Sequence, residues 1–164
     1  MEKLNSMRVL ERAGIAYAVH EFPAEHLSAN EVATLVGVDP SRVYKTLVAL
    51  AVDKPVLVML AAADRLDLKA LARSLGVKQV VMASQAEAET LTGLRVGGIG
   101  ALALQHKRWR CILERSALDV SGGRILLSAG RRGVNLEVAV VDVIELLQPV
   151  VVDLMQRTSG PAGA

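Results

Sequence analysis

The sequence predicts one α/β (α+β) domain in which short helices pack around a mixed β-sheet. Helical and strand-like segments are interspersed along the 164 residues, and no internal repeat or linker divides them. Hydrophobic residues make up 52% of the chain but aromatic residues only 2%, so Val, Leu, Ala and Ile must fill the core. We expect residues 1–157 to form the domain and residues 158–164, which are small and polar, to be a disordered tail.

The predicted helices follow from apolar positions at helical spacing and from capping signals. Apolar side chains share one face of the first helix, and Gly14 follows as a stop signal. Ser28 and Ser84 each precede a glutamate by three residues, which is the spacing of a capping box. The predicted helices cover residues 3–13, 28–36, 67–75, 84–92 and 142–147.

The predicted strands are short apolar runs bounded by turn residues. The second and third runs form a hairpin in the middle of the sheet, with its turn at residues 53–55. A Gly122-Gly123 turn precedes the last two runs. The predicted strands cover residues 17–22, 43–52, 56–60, 109–114, 124–128 and 134–140.

Composition excludes several classes of protein. The longest apolar stretch, residues 56–63, is far shorter than the roughly 20 residues of a membrane helix, and the N-terminus lacks a signal-peptide pattern. Cys111 is the single cysteine, so an internal disulfide is excluded and the reducing cytoplasm is the expected location. Cys111 and the histidines at 20, 26 and 106 lack metal-ligand spacing, and we predict no metal and no cofactor.

Lys45 lies inside the predicted strand 43–52, whose other residues are typical of a buried strand. Burial of an unpaired ammonium is costly, because desolvation disfavours the charged form and lowers the pKa. Alternation places Lys45 on the same face as Val43, Leu47 and Ala49. The lysine must therefore reach the surface, find an anionic partner or face a cavity for an anionic ligand. An edge-strand lysine is the structural alternative.

Two glycine-bearing loops are the other candidate site elements. Residues 97–100 read Gly-Gly-Ile-Gly, and their free N–H groups could bind a carbonyl or carboxylate oxygen. Residues 128–133 read Ser-Ala-Gly-Arg-Arg-Gly and offer a hydroxyl beside two guanidiniums. Each loop could equally be a turn that needs positive φ. With Lys45 they supply a cation and backbone donors but no nucleophile, which suits the binding and orienting of an ester or phosphate.

Positive charge is concentrated in one part of the chain. The formal net charge is +2, but residues 106–132 carry seven Lys and Arg residues against two acidic ones. A basic segment on a near-neutral protein suits a polyanion such as a nucleic-acid backbone, and a solvated basic surface is the alternative.

Four motifs follow one another in a specific order and spacing: Val43-Tyr44-Lys45-Thr46-Leu47, Leu66-Asp67-Leu68-Lys69, Val96-Gly97-Gly98-Ile99 and Ser128-Ala129-Gly130-Arg131-Arg132-Gly133. By these motifs the chain resembles the YbaK/EbsC family, also called the prolyl-tRNA-synthetase-associated editing domain, over residues 4–147. The resemblance implies a mixed, partly barrel-like sheet. It also implies a trans-editing hydrolase that deacylates mischarged tRNA of the Cys-tRNA(Pro) or Ala-tRNA(Pro) type. Its partners would be mischarged tRNA and, as a further candidate, prolyl-tRNA synthetase.

The resemblance also implies roles for individual residues. Lys45 would be the catalytic pocket lysine that grips the 3′-terminal phosphate or the ester region, and a neutral-lysine general base is the rival mechanism. The backbone of residues 97–99 would orient the carbonyl, and water or the substrate's own side chain would attack without an acyl-enzyme. The substrate-binding residues would be Phe22, Thr46, Gly97, Gly98, Ile99, Ser128, Gly130 and Asn135. The tRNA-binding residues would be Lys107, Arg108, Arg110, Arg131 and Arg132.

Three positions depart from the family pattern. The glycine loop ends at Ala101 where the family often has proline, and Phe22 and Asn135 stand where many cysteine-clearing members have tyrosine and aspartate. These changes alter pocket polarity and leave the amino-acid specificity open, because a hydrophobic pocket discriminates a methylene by only about 1–3 kcal/mol. Two other classes of function stay open: a non-hydrolytic aminoacyl-tRNA-binding module or synthetase partner, and a hydrolase of a small ester.

Overall fold

The computed structural model of the protein describes residues 1–25 and 27–156, so the predicted tail and His26 lie outside the described residues. Within these residues the chain forms five α-helices and eight strands. The helices are α1 (Asn5–Arg12), α2 (Ala29–Val36), α3 (Leu68–Leu75), α4 (Gln85–Thr92) and α5 (Val140–Leu147). The strands are β1 (Ala18–Glu21), β2 (Tyr44–Ala51), β3 (Lys54–Ala61), β4 (Val80–Met82), β5 (Arg110–Glu114), β6 (Arg124–Arg131), β7 (Val134–Ala139) and β8 (Val150–Val152).

The strands form two sheets that are joined at one point. The smaller sheet is antiparallel in the order β1-β7-β6, and the larger one is mixed in the order β4-β2-β3-β5-β8. A parallel bridge between Val43 and Leu126 links the start of β2 to β6, and Arg42 Nε donates to the Arg124 carbonyl (2.8 Å) beside it. The predicted α/β fold with a mixed, partly closed sheet is confirmed.

The core lies between the two sheets and is almost entirely aliphatic. Its fully buried side chains include Leu57, Met59, Leu113, Ile125, Leu127 and Leu136. A second cluster lies on the outer face of the larger sheet, where α3 covers Leu60 and Ile112. Each fully buried side chain of this size stabilises the fold by roughly 1.5–3 kcal/mol. Because one apolar cluster packs on each face of the larger sheet, β2 is held between the two clusters.

The helix ends agree with the predicted capping signals. Ser28 and Ser84 each form both hydrogen bonds of a capping box, with Glu31 and Glu87 respectively. Asp67 accepts the Ala70 N–H (3.0 Å) and so caps α3. Because these caps satisfy N–H groups that the first helical turn leaves unpaired, short helices can begin at defined residues.

Several boundaries differ from the sequence predictions. The β2–β3 turn is not at residues 53–55 but at Val52 and Asp53, both with positive φ, so β3 already begins at Lys54. A two-residue turn of this kind matches the twist of a hairpin. Strand β6 extends to Arg131 through a register shift after Ser128. Two strands of three residues, β4 and β8, and a 3₁₀ helix at Ala101–Lys107 were not predicted, because such short elements carry no periodic signal.

Candidate functional site

Lys45 lies near the start of β2, where the chain that leaves β3 passes its side chain. Its Nζ donates hydrogen bonds to the backbone carbonyls of Ala62 (3.1 Å) and Asp64 (2.7 Å). The Ala62 N–H bonds to the Val43 carbonyl (2.8 Å), which fixes this segment against β2. An ammonium has three donors, so one N–H of Lys45 remains for a ligand.

The charge of Lys45 is only partly compensated. The side chain is half-buried, and no carboxylate among the described residues lies within ion-pair distance of it. Burial lowers the pKa of Lys45, and the negative charge of Asp64 opposes that shift. The two carbonyl dipoles also favour the charged form. Lys45 is therefore neither a solvated surface lysine nor one half of a salt bridge.

The strand register places Lys45, Ser128 and Asn135 on one face. Val43 and Leu126 form the parallel bridge between β2 and β6. Lys45 and Ser128 each lie two residues beyond this bridge, and side chains two residues apart on a strand point to the same face. Ser128 in turn pairs with Asn135 on β7. Three of the predicted site residues thus lie in one row across β2, β6 and β7.

Asn135 is a buried side chain whose hydrogen-bonding groups are unused. It is 8% exposed, yet its amide has no hydrogen-bond partner among the described residues, and its polar atoms keep contact with solvent. Buried amides are ordinarily hydrogen-bonded, so this one faces an opening and not the core. Beside it, the Ser128 hydroxyl oxygen accepts the Gly130 N–H (3.2 Å), and Gly130 has a φ of +100°.

Phe22 lies directly after β1 and provides an apolar wall next to the lysine. Its N–H donates to the Gly133 carbonyl (2.9 Å). Its ring packs against the cluster of Val32, Ala33 and Val43, and Ala62 packs against the same cluster. Because the Ala62 carbonyl accepts from Lys45, Phe22 and Lys45 border the same region of the molecule.

Thr46 points to the opposite face of β2 from Lys45. It is buried, and its Oγ1 accepts the Ala101 N–H (3.2 Å). This bond ties the end of the glycine segment to the strand that carries Lys45. The described contact of Thr46 is therefore with the protein backbone, and its direct role in substrate binding stays a prediction.

Residues 97–100, which we call the glycine loop, pack directly against the β6–β7 hairpin. A Cβ on Gly98 would lie 2.8 Å from the Arg132 backbone nitrogen. A Cβ on Gly100 would overlap the Ser128 carbonyl oxygen. The absence of side chains is what allows these two backbones to approach. The structure thus brings together the two glycine-bearing motifs that the sequence presented separately.

The glycine loop also presents unused backbone donors. The Gly98 N–H bonds to the Arg95 carbonyl (2.7 Å). The N–H groups of Gly97 and Ile99 have no acceptor within residues 1–25 and 27–156. Two donors from one short loop can bind a single oxygen atom, as in sites that stabilise a developing negative charge.

The predicted tRNA-binding residues fall into two groups. One group is exposed at and after the end of the 3₁₀ helix: Lys107, Arg108 and Arg110. In it, Lys107 Nζ lies 5.5 Å from the centre of the Trp109 ring. The other group, Arg131 and Arg132, lies at the β6–β7 turn beside the glycine loop. Only this second group is shown to adjoin the candidate site.

Cavity size does not identify the site. A cleft of about 490 Å³ opens between α4 and Arg132, and one of about 500 Å³ is lined by Glu21 and Arg131. Lys45 lines neither cleft. The candidate site is instead defined by hydrogen-bond donors of Lys45, Asn135 and the glycine loop that have no acceptor among the described residues.

Comparison with known proteins places this geometry in a family. A family model described as "Aminoacyl-tRNA editing domain" matches residues 24–146. The chain belongs to this family. A curated relative from Enterococcus faecalis (strain ATCC 700802 / V583), named "Putative Cys-tRNA(Pro)/Cys-tRNA(Cys) deacylase EbsC", is 34% identical over 148 residues and covers 88% of each chain. The resemblance to the YbaK/EbsC family is confirmed, and this editing domain is an aminoacyl-tRNA deacylase.

Solved structures agree with this fold. A crystal structure described as "a putative trans-editing enzyme for prolyl tRNA synthetase" has a TM-score of 0.81 at 23% identity and covers 96% of this chain and 100% of that chain. A crystal structure of a hypothetical protein has a TM-score of 0.81 at 24% identity and covers 91% of this chain and 97% of that chain. At these identities the likeness supports the editing-domain fold.

One charged cluster of the editing domain was not predicted from the sequence. The Glu137 carboxylate accepts hydrogen bonds from Arg42 Nη2 (2.9 Å) and Arg124 Nε (3.0 Å), and His20 Nε2 lies 2.8 Å from it. Burial opposes ionisation of Glu137, but the hydrogen bonds from His20, Arg42 and Arg124 outweigh it and lower the pKa of the carboxyl. Glu137 alternates with the inward-facing residues of β7, which is the only sequence signal it carries.

Thiol chemistry and metal binding have little support in the described residues of the editing domain. Cys111 is buried, and burial raises the pKa of its thiol to about 11, so it does not supply a thiolate at neutral pH. No group of three His, Cys, Asp or Glu side chains there could hold a metal ion. Among the helices that the structure describes, none has the length and apolar character to cross a membrane.

Proposed function

We propose that this editing domain hydrolyses cysteine or alanine esters of the proline tRNA in trans, in the cytoplasm. The observation that carries the proposal is the environment of the Lys45 ammonium. Two backbone carbonyls accept hydrogen bonds from it, and its third N–H has no acceptor among the described residues. It lies in a row with Ser128 and Asn135. The names of EbsC and of the trans-editing structure support the choice of amino acid and tRNA, and they support prolyl-tRNA synthetase as a candidate partner.

Lys45 acts electrostatically in this proposal. Its free N–H donates to the 3′-terminal phosphate or to the ester region of the substrate. A hydrogen bond to a charged group contributes about 1.5–3 kcal/mol, which offsets part of the cost of a half-buried cation. A general base would need the neutral amine, and burial does lower the pKa of Lys45. The nearby Asp64 and the two carbonyl acceptors oppose that shift, and the proposal therefore uses the ammonium.

The glycine loop orients the aminoacyl carbonyl. The unpaired N–H groups of Gly97 and Ile99 are suited to an oxygen that gains negative charge as water adds to the ester carbon. The Gly98 position keeps the loop close to the β6–β7 hairpin. Addition of water gives a tetrahedral intermediate, which expels the ribose oxygen as the free hydroxyl and releases the amino acid. No acyl-enzyme forms in this sequence of steps.

The aminoacyl side chain lies between the polar row and the apolar wall. Ser128, Asn135 and the backbone at Gly130 contact the amino acid or the attacking water, and Phe22 borders its side chain. Thr46 contributes through its bond to Ala101, which holds the loop at β2. Lys107, Arg108, Arg110, Arg131 and Arg132 contact the phosphates of the acceptor stem in this proposal.

The test is a deacylation panel with the wild type and Lys45→Ala. Cys-tRNA(Pro), Ala-tRNA(Pro) and correctly charged Pro-tRNA(Pro) are presented to each protein, and the release of amino acid is followed. We expect the wild type to clear at least one mischarged tRNA and to spare Pro-tRNA(Pro), and Lys45→Ala to clear none. A wild type that binds these tRNAs but leaves every ester intact would be a binding module. Activity that ignores added salt would instead indicate a small-ester hydrolase, since phosphate contacts weaken steeply with salt.

A further inference from the structure

Val96, the residue before the glycine loop, is held through both of its backbone polar groups. The Glu89 carboxylate on α4 accepts the Val96 N–H (2.9 Å). Arg132 Nε, from the β6–β7 turn, donates to the Val96 carbonyl (2.7 Å). Two elements that are distant from each other in the sequence thus meet at a single residue. We call this arrangement the Val96 clamp.

The clamp acts on a β-turn, a structure whose middle peptide can in general take either of two orientations. The Gly98 N–H bonds to the Arg95 carbonyl (2.7 Å), which closes a β-turn over residues 95–98. Gly97 stands third in this turn with a φ of +93°, which is the backbone conformation of a type II turn. Type I and type II turns differ in the direction of their middle peptide, here the one between Val96 and Gly97.

The Arg132 side chain determines that direction. In a trans peptide the C=O and the next N–H point to opposite sides. When Arg132 holds the Val96 carbonyl, the Gly97 N–H must therefore point away from the guanidinium. The same side chain fills the space beside Gly97, because a Cβ there would lie 3.2 Å from Arg132 Nε and 3.5 Å from its Cγ.

We propose that Glu89 and Arg132 are positioning residues for deacylation. They fix the turn so that the Gly97 N–H is presented to the ester carbonyl. The inference rests on the proposed role of the glycine loop. It gives Arg132 a geometric task in addition to the proposed phosphate contact, and it adds Glu89, which carries no sequence signal for the site.

Two substitutions separate these tasks. Arg132→Lys keeps the positive charge but removes the planar Nε–H that reaches Val96. Glu89→Ala removes the acceptor of the Val96 N–H, whereas Glu89→Gln keeps a side-chain oxygen in its place. Arg95→Lys is the matched control, since its guanidinium lies on the same turn and makes no hydrogen bond within the described residues. For each protein, kcat and KM on a mischarged tRNA are measured over a range of salt concentrations.

The clamp predicts a selective loss of kcat. Loss of a whole oxyanion donor costs about 100-fold or more, so a misdirected donor in Arg132→Lys and Glu89→Ala should lower kcat by roughly tenfold. KM and the salt dependence should stay close to those of the wild type, because lysine keeps the positive charge that Arg132 offers to the acceptor-stem phosphates and Glu89 contacts no phosphate. Glu89→Gln should recover most of the kcat lost in Glu89→Ala, and Arg95→Lys should match the wild type.

Two results would overturn the clamp while leaving the proposed function intact. One is an Arg132→Lys protein with wild-type kcat, and a weaker salt dependence of that protein would make Arg132 a phosphate contact alone. The other is a Glu89→Ala protein with wild-type kcat. If the wild type itself releases no amino acid, the proposed function fails, and backbone ¹⁵N relaxation then decides on the clamp. Lower order parameters at Gly97 and Gly98 in Arg132→Lys support it, and unchanged ones refute it.

Discussion

Lys45 and Glu137 are both half-buried charged side chains on sheet faces, but their surroundings differ. Glu137 is surrounded by Arg42, Arg124 and His20, and these hydrogen bonds outweigh its burial and lower the pKa of the carboxyl. Lys45 bonds to two backbone carbonyls and has no carboxylate partner among the described residues, and its burial lowers the pKa of the ammonium. The shift favours the charged form of Glu137 and disfavours the charged form of Lys45.

This difference separates a charge that the fold uses from a charge that is a candidate for ligand contact. Glu137 holds the β1-β7-β6 sheet to Arg42, the residue that leads into β2, so its partners are all internal to the fold. Lys45 keeps a donor that the protein does not use, in a row with the unsatisfied amide of Asn135. Charged groups whose environment is incomplete are candidates for ligand contact, and those whose environment is complete are candidates for stability.

The largest effect that distinguishes the two groups is on activity. Lys45→Ala should lower kcat/KM for deacylation by roughly 10- to 150-fold, because it removes a charge-assisted bond to the substrate that is worth about 1.5–3 kcal/mol. Its Tm should change by less than about 2 °C, because burial of the ammonium is itself unfavourable. Lys54→Ala, an exposed lysine at the start of β3, is the control for both measurements. A large fall in Tm for Lys45→Ala would assign the lysine to the structure and end the contrast with Glu137.

The next effect is on stability. Glu137→Ala should lower the free energy of unfolding by roughly 2–3 kcal/mol, since it leaves Arg42 and Arg124 without their carboxylate. Urea denaturation measures this loss, and Glu145→Ala, an exposed carboxylate on α5, provides the control. An equal loss for the two variants would mean that the cluster around Glu137 is no more than ordinary surface charge.

Sequence reasoning selected the candidate site residues more readily than their relations to one another. Lys45 stood out because a charge interrupts an apolar strand, Ser128 because it adds a hydroxyl to a glycine-bearing loop, and the family resemblance supplied Asn135. The charged cluster around Glu137 was not predicted, because an alternating polar residue on a strand is typical of a solvated face. Its partners Arg42 and Arg124 come from other elements, and only the folded chain brings them together.

The same limit applies to the glycine loop. Its glycines suggested a close approach to a ligand, but their nearest neighbours are Arg132 and Ser128 of the β6–β7 hairpin. Long-range packing of this kind has no local signature in the sequence. The predicted helices, by contrast, begin at Ser28, Asp67 and Ser84 as expected, because capping is a contact between residues three apart.

A smaller effect concerns a fragment of the substrate. Adenosine 5′-monophosphate carries the phosphate and the nucleoside of a tRNA 3′ end. If it binds with a Kd of about 1 mM, 10 mM of it should stabilise the wild type by roughly 1.4 kcal/mol, and Lys45→Ala should show no such gain. Thermal unfolding with and without the nucleotide measures the difference. Glu137→Gln should still be stabilised, and equal stabilisation of Lys45→Ala would show that the phosphate binds elsewhere.

The smallest effect is on the pH dependence of stability, where the two groups act at opposite ends of the scale. The pKa of Glu137 is below its ordinary 4.5 in the folded state, so its contribution is present above that value and is lost as pH falls through the folded pKa. The pKa of Lys45 is below its ordinary 10.5, so between the folded pKa and 10.5 the unfolded chain binds more protons and stability rises with pH. Relative to the wild type, Glu137→Gln should therefore lose its deficit in acid, and Lys45→Met should lose any advantage at alkaline pH. Tm measured from acid to alkaline pH tests both slopes. A Lys45→Met protein whose Tm relative to the wild type stays constant above neutrality would mean that the Lys45 ammonium is as well solvated in the folded protein as in the unfolded chain.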